Sequence, residues 1–223
     1  MKNVQLTDFG PEDIEDFLVE VEASFGIQFV QNELLHVKTF GQLSDHIIGK
    51  IKRTNVQDCT GQQAFYKLRN AISRTREIDR STIRPNLDLN NVFPRASRRQ
   101  EINAIEKELG FKLSILRPRK WITAMLALLL VICFLALFLY WKIALLGIVL
   151  TLFGSWLATK FGKELEVGNL KQLTQKVTRE HYLRCRRNTD SFNKLEIEKI
   201  LIDWFADYFG LECDKLIREQ RLP

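Results

Sequence analysis

Hydrophobic and polar positions alternate along this chain in two distinct ways. Near the start, Ile14, Phe17, Leu18, Val21 and Phe25 follow the i, i+3, i+4, i+7 spacing of one buried helix face. Gly26 comes next, where a helix ends cheaply in the left-handed conformation. The same period predicts a helix over residues 40–51, opened by Thr39 as N-cap, and another over 62–72 with Phe65, Leu68 and Ile72 on one face. Residues 79–94 are rich in turn formers and read as a loop. A helix over 98–109 carries Ile102, Ile105 and Leu109, with Gly110 as its stop. Further helices are predicted from 165 to about 185 and over 195–209, the last closed by Gly210. No useful run alternates with period two, so the expected fold class is all-α.

Residues 121–159 behave differently, because they are apolar on every face. Within this stretch the only formal charge is Lys142. One helix across a hydrocarbon core of about 30 Å needs only about 20 residues, so the stretch predicts two. The legs are WITAMLALLLVICFLALFL and IALLGIVLTLFGSWLAT, divided at Tyr140-Trp141-Lys142. Both satisfy their backbone within lipid only as helices. The resulting expectation is a transmembrane hairpin with Trp121, Trp141 and Trp156 near the interfaces.

Composition sharpens this partition. The chain is 46% hydrophobic and 27% charged on average, yet nearly all its charge lies outside the apolar stretch. Arg117, Arg119 and Lys120 precede the first leg, and Lys160 and Lys163 follow the second. Such flanks mark the cytoplasmic side, which places both ends of the hairpin there. The expected location is a membrane, the bacterial inner membrane, with membrane lipid as one partner. The N-terminal segment from Met1 to Glu20 is acidic and has no signal-peptide core. Cys59, Cys133, Cys185 and Cys213 lack metal-ligand or disulfide-framework spacing, which fits a reducing compartment.

Two stretches match when laid over one another: DFGPEDIEDFLVEVEASFGIQF and VFPRASRRQEINAIEKELGFKL. Leu18 meets Ile102, Val21 meets Ile105, Glu22 meets Glu106, and Gly26 meets Gly110. TFGQL (39–43) has a counterpart in EVGNL (166–170), and residues 67–89 are similar to 200–222. The pattern suggests two copies of one helical unit. VEASFGIQF followed by VKTFGQLSDHI resembles the second and fourth helices of acyl carrier proteins, as do IEKELGFKL and EVGNLKQLTQKV. FYKLRNAISRTREIDRSTIRPNLDL and ILIDWFADYFGLECDKLIREQRL are similar to the first helix and long loop of that family.

The resemblance implies two small carrier-protein-like helical bundles. Unit A would comprise residues 1–53 with 194–223, circularly permuted. Unit B would comprise 62–113 with 165–187, with the hairpin 121–159 inserted in it, so that Trp121 and Thr159 lie close together. Residues 1–48 plus 190–223 hold 7 Lys/Arg and 17 Asp/Glu; residues 49–120 plus 160–189 hold 25 and 10. Unit A is therefore acidic, and the basic unit B would be drawn to anionic headgroups. The basic residues lack interleaved aromatics, which argues against nucleic acid as a partner.

A working carrier needs a serine at the start of its second helix to take phosphopantetheine. The matching positions are Pro11 and Arg95, and Ser97 in PRASRRQ is the one nearby hydroxyl. The resemblance thus implies the fold and a binding habit, with a phosphopantetheine cofactor only if Ser97 is modified; otherwise Ser97 is a helix N-cap. Carrier proteins meet partners through their second helix, which points to Glu12, Asp13, Glu15, Asp16 and Glu20 as the face for a cytoplasmic protein. Acids at a helix N-terminus also suit the macrodipole. His36, His46 and His181 are scattered, His46 on a helix surface, and no metal site is expected. No phosphate loop or nucleophile elbow is present. Arg184, Arg186 and Arg187 read as a solvated or membrane-facing basic run. The expected function is non-enzymatic: binding or regulating a partner, the alternative being a tethered acyl or peptidyl carrier. A third possibility is assembly through the hairpin, using Gly147 and Gly154 for close approach.

Overall fold

The structure is a computed structural model that describes residues 10–30, 32–137, 140–211 and 218–219. Among these the chain is mostly helical: α1 (Pro11–Phe25), α2 (Phe40–Lys50), α3 (Thr60–Arg76), α4 (Leu89–Val92), α5 (Arg98–Leu109), α6 (Lys120–Ala136), α7 (Trp141–Phe161), α8 (Leu170–Glu180), α9 (Tyr182–Cys185) and α10 (Lys194–Tyr208). Short strands of two residues join them: β1 (Thr54–Asn55), β2 (Leu116–Arg117), β3 (Glu164–Leu165) and β4 (Ser191–Phe192). The chain forms two compact units, Met1–Leu68 with Thr174–Pro223, and Arg69–Leu173. The boundaries fall inside α3 and α8.

The core of the first unit is aromatic. Phe17 of α1 meets Trp204 and Phe205 of α10 edge-on at 5.4 and 5.2 Å, and Phe40 of α2 lies 4.9 Å from Phe205. Phe25 packs edge-on against Tyr182 at 5.3 Å. Arg186, expected on a basic surface run, is instead fully buried. Its guanidinium donates to Thr60 Oγ1 (2.7 Å), the Tyr182 hydroxyl (3.2 Å), Ser191 Oγ (2.9 Å) and the Asp58 carboxylate. Asp58 and Thr60 follow β1, and Ser191 belongs to β4; the two strands pair in parallel. Burial works to raise the Asp58 pKa, but hydrogen bonds from Gln63 and Arg186 overcome it and hold the carboxyl below its ordinary range. A buried cation needs such partners, and the run Arg184–Arg187 could not reveal them because they come from distant segments.

The second unit buries Ile102 and Ile105 of α5 along with Ile83, Leu89, Val92 and Phe93. The predicted 79–94 loop thus contributes to the core, and it contains a 3₁₀ turn (Arg80–Thr82) and the short α4, both capped by an aspartate side chain. The helix predicted from 165 to 185 is broken. Glu164–Leu165 pairs antiparallel with Leu116–Arg117, α8 begins only at Leu170, and His181 departs from helical geometry (φ −135°) ahead of α9.

Three local arrangements occur twice. Gly26 (φ 62°) and Gly110 (φ 77°) end α1 and α5, each donating its N–H to a glutamate carbonyl, Glu22 or Glu106, at 2.9 Å. The same glutamate's carboxylate reaches forward to accept the N–H of Phe29 or of Leu113. Thr39 and Asn169 cap α2 and α8 by accepting from the N–H of Gln42 and Gln172, whose amide oxygens accept from Lys38 and Gly168. These are two N-caps of one design, each backed by a glutamine that reaches to the residue before the cap. Finally, Gly41 donates to the Arg218 carbonyl (2.8 Å) and Lys171 to that of Pro85 (2.7 Å). These bonds change the register of the TFGQL–EVGNL match: Thr39 answers Asn169 rather than Glu166, because Asn169 has the side chain that caps. Phe40, Leu43 and Ile47 then answer Leu170, Leu173 and Val177, all buried.

His46, expected on a helix surface, is half-buried and lies 3.0 Å from Glu33, which Lys50 also grips at 2.6 Å. Bonds from Lys50, the Val30 N–H and His46 lower the Glu33 pKa to about 2 from 4.5. A carboxyl with a depressed folded pKa stabilises above its unfolded value and loses that contribution as pH falls through the folded one. The difference in unfolding midpoint between wild type and Glu33→Gln should therefore be constant well above pH 4.5 and close between 4.5 and about 2. A difference that persists unchanged at the acid end of that window would refute this account of the clasp.

Candidate membrane interface and partner face

The apolar stretch forms an antiparallel pair, α6 and α7, that packs on itself. Its seam is made of small residues on one face of α7: Ala144, Gly147, Thr151, Gly154 and Ala158 follow one another at alternating i+3 and i+4 steps. Ala144 and Thr151 are buried, and a Cβ on Gly147 would lie 2.7 Å from Cys133 Sγ on α6. One on Gly154 would lie 3.4 Å from Leu126. The two glycines therefore serve the close approach of α6 to α7 within one chain. Thr151 hides its hydroxyl by donating to the Gly147 carbonyl at 2.7 Å.

The faces turned away from the seam are apolar. Met125, Leu128, Leu135, Ile143, Val149 and Phe153 are each more than half exposed. Soluble monomers rarely expose so large a contiguous apolar surface. Helix α7, with 21 residues, is long and apolar enough to cross a membrane; at about 1.5 Å per residue it spans about 31 Å. Helix α6 is a shorter apolar helix of 17 residues, and Phe138 and Leu139 of the predicted first leg lie outside the described residues. Trp141 at the tip and Trp121 and Trp156 toward the base are exposed; Lys142 sits 5.6 Å from the Trp141 ring and Lys160 4.7 Å from that of Trp156.

The base of the hairpin is closed by hydrogen bonds. Arg117 pairs with Glu164 across the β2–β3 ladder, where a Cβ on Gly162 would strike the Arg117 carbonyl carbon at 2.5 Å. Arg98 is buried and donates to the Phe93 carbonyl (2.9 Å), the Lys163 carbonyl (2.6 Å) and Asn90 Oδ1 (3.0 Å). Arg99 donates to the Gly162 carbonyl (3.1 Å) and lies 5.7 Å from the Phe161 ring. Glu164 is shared by Arg95 (2.8 Å), Arg119 (3.2 Å) and Arg98 (4.0 Å), while Arg117 takes Glu166 (3.0 Å). Arg117, Arg119, Lys120, Lys160 and Lys163 are thus gathered at one end of the hairpin. Sequence reasoning did not place Arg95, Arg98 and Arg99 at the hairpin; the basic run PRASRR was the available signal, read there as the setting of Ser97 and a helix start.

The acidic face lies in the first unit. Glu12, Asp13, Glu15, Asp16 and Glu20 are all exposed on α1. Asp13 also accepts the Gly10 N–H at 2.9 Å, which fixes the start of the helix. Burial, with the charges of Glu20, Asp16 and Asp13, raises the pKa of Tyr208 on α10, so the field of this face extends onto its neighbour. Burial and then Glu180 raise the pKa of Glu20.

Ser97 stands at the N-cap position of α5, half-buried, but its hydroxyl makes no capping bond. Its chain neighbours are Ala96 and Arg98, and Arg98 is committed to three acceptors. An open groove of about 840 Å³ in the first unit is edged by Lys50, Lys52 and Arg53, two of which are already tied, to Glu33 and to the Thr189 carbonyl. Burial pushes the Cys185 thiol up to about 12, which makes it an inert core residue. Among the described residues no group of three His, Cys, Asp or Glu is placed to hold a metal.

Gly147→Leu should open the hairpin at a cost of about 1–3 kcal/mol, because the new side chain overlaps Cys133. Maleimide labelling of Cys133 in detergent, resolved by peptide mapping, should then rise. Gly49→Ala, whose Cβ meets open space, serves as control. Equal labelling in both variants would count against the seam. Comparison of the chain with family models, curated proteins and solved structures finds no match in any of the three.

Proposed function

We propose that this chain is a membrane-anchored, non-enzymatic protein that binds or regulates a cytoplasmic protein through the acidic face of α1. The observation that carries the reading is the α6–α7 hairpin, whose outward faces are apolar along their length and whose base alone is fastened by polar bonds. Burying that surface in lipid removes it from water at roughly 25 cal/mol per Å². The cations at the base and the single Lys142 at the tip support an orientation with both units on the cytoplasmic side. The repeated glutamate–glycine turns and helix caps support two degenerate carrier-like units that keep the shape of a carrier without its modified serine.

Orientation is tested with an impermeant maleimide on intact cells, using two single-cysteine variants. Lys142→Cys should label before lysis, whereas the exposed Cys59 should label only after it. Labelling of both before lysis, or of neither, would reject the topology. Partner binding is tested by capture from native membranes. The partner retained by wild type should be lost from Asp16→Lys/Glu20→Lys, and retention by that variant would exclude the α1 face. Intact mass from the native host should show no phosphopantetheine adduct.

A further inference from the structure

The base of the hairpin holds more positive charge than its own carboxylates can balance. Eight cations gather there, namely Arg95, Arg98, Arg99, Arg117, Arg119, Lys120, Lys160 and Lys163, against Glu164 and Glu166. Three of the arginines share Glu164 alone. Among the described residues, Lys120, Lys160 and Lys163 have no acidic side chain within ion-pair distance, and all three are exposed. Helix termini do not account for the imbalance. The N-terminus of α6 and the C-terminus of α7 meet at this end, with partial charges of about +0.5 and −0.5 that offset each other.

From this charge surplus we infer that the hairpin base is a binding surface for anionic phospholipid headgroups, which it selects over zwitterionic ones. The inference rests on the membrane reading of the hairpin and adds lipid class to it. Two features favour lipid over a protein as the occupant. The lysines border continuous apolar surface, with Trp121 next to Lys120 in the chain and Trp156 under Lys160 at 4.7 Å. That arrangement of an apolar body below and cations above matches a headgroup at the top of its acyl chains. The arginines, in contrast, are occupied in holding Glu164, Glu166 and backbone carbonyls, which leaves the three lysines to meet the headgroups.

Tryptophan quenching tests the inference. The full chain, with Trp141→Phe to remove the tip signal, is placed in nanodiscs of equal phosphatidylglycerol and phosphatidylcholine, with brominated chains on one lipid or the other. Trp121 and Trp156 report the base, and Trp204, buried in the first unit, is constant background. Brominated phosphatidylglycerol should quench about twofold more than brominated phosphatidylcholine, as expected for several basic residues at an anionic surface. Lys120→Gln/Lys160→Gln/Lys163→Gln should equalise the two; it alters only exposed side chains and leaves the Arg98 bond to the Lys163 carbonyl intact. Equal quenching in the parent chain, or a preference that survives in the triple variant, would overturn lipid selection. Absence of quenching by either lipid would instead overturn the membrane reading beneath it.

Discussion

A hairpin whose flanks are apolar can be held in place only at its base. Along α6 and α7 the backbone polar groups are used within the helices, and the seam of Ala144, Gly147, Thr151 and Gly154 offers close packing but no directional bond to the rest of the chain. Direction has to come from the few residues where the hairpin enters and leaves. There the Arg117–Glu164 pairing joins the two ends, and Arg98 ties the Lys163 carbonyl to Phe93 and Asn90 of the second unit. A charged hydrogen bond in a buried site is worth more than a neutral one, and its loss leaves acceptors with no water to replace it. The hairpin therefore belongs to its unit through a handful of bonds, while the outward faces along its length stay apolar and exposed.

Arg186 plays the corresponding part in the first unit. It fastens Asp58 and Thr60, which follow β1, to Ser191 in β4, segments separated by more than half the chain. Both arginines solve one problem: a chain whose units are assembled from distant segments needs cross-links that hydrophobic packing does not specify. Apolar contacts tolerate repacking, whereas a guanidinium with three or more fixed acceptors does not.

Local determinants were legible in the sequence and long-range ones were not. The stops at Gly26 and Gly110 and the cap at Thr39 follow from chemistry confined to a few residues, as does the extent of the apolar stretch. The continuous helix expected across 165–185 fails because Asn169 provides a competing cap and because β3 is drawn into a ladder with β2, a partner on the far side of the hairpin. Arg186 read as surface for the same reason: its burial depends on Asp58, Thr60 and Ser191, none of which shares its periodicity. Among the candidate interface residues, Trp121, Trp156, Lys160 and Lys163 could be picked out from the sequence because flanking position alone places them at the ends of the apolar stretch. Arg95, Arg98 and Arg99 were not, since only folding brings the start of α5 to the end of α7.

The difference between paired and unpaired charge also changes what the composition implies. Divided at the observed boundaries, the first unit holds 16 Lys/Arg and 19 Asp/Glu, the second 17 and 8. The first unit is thus far closer to neutral than the sequence-based division implied, because nine further cations and only two further acids fall within it, and Lys176, Arg179 and Arg186 are among those cations. These three are consumed internally, by Glu180, Asp207 and Asp58 respectively. The exposed acidic row on α1 takes part in none of these ion pairs. The second unit shows the converse: its acids are outnumbered at the hairpin base, and its surplus lies in lysines that meet no acid among the described residues. Net charge alone would rank the two units by magnitude, but the unspent charges separate them by sign, acidic along α1 and basic at the hairpin base, and the two proposed uses rest on that separation.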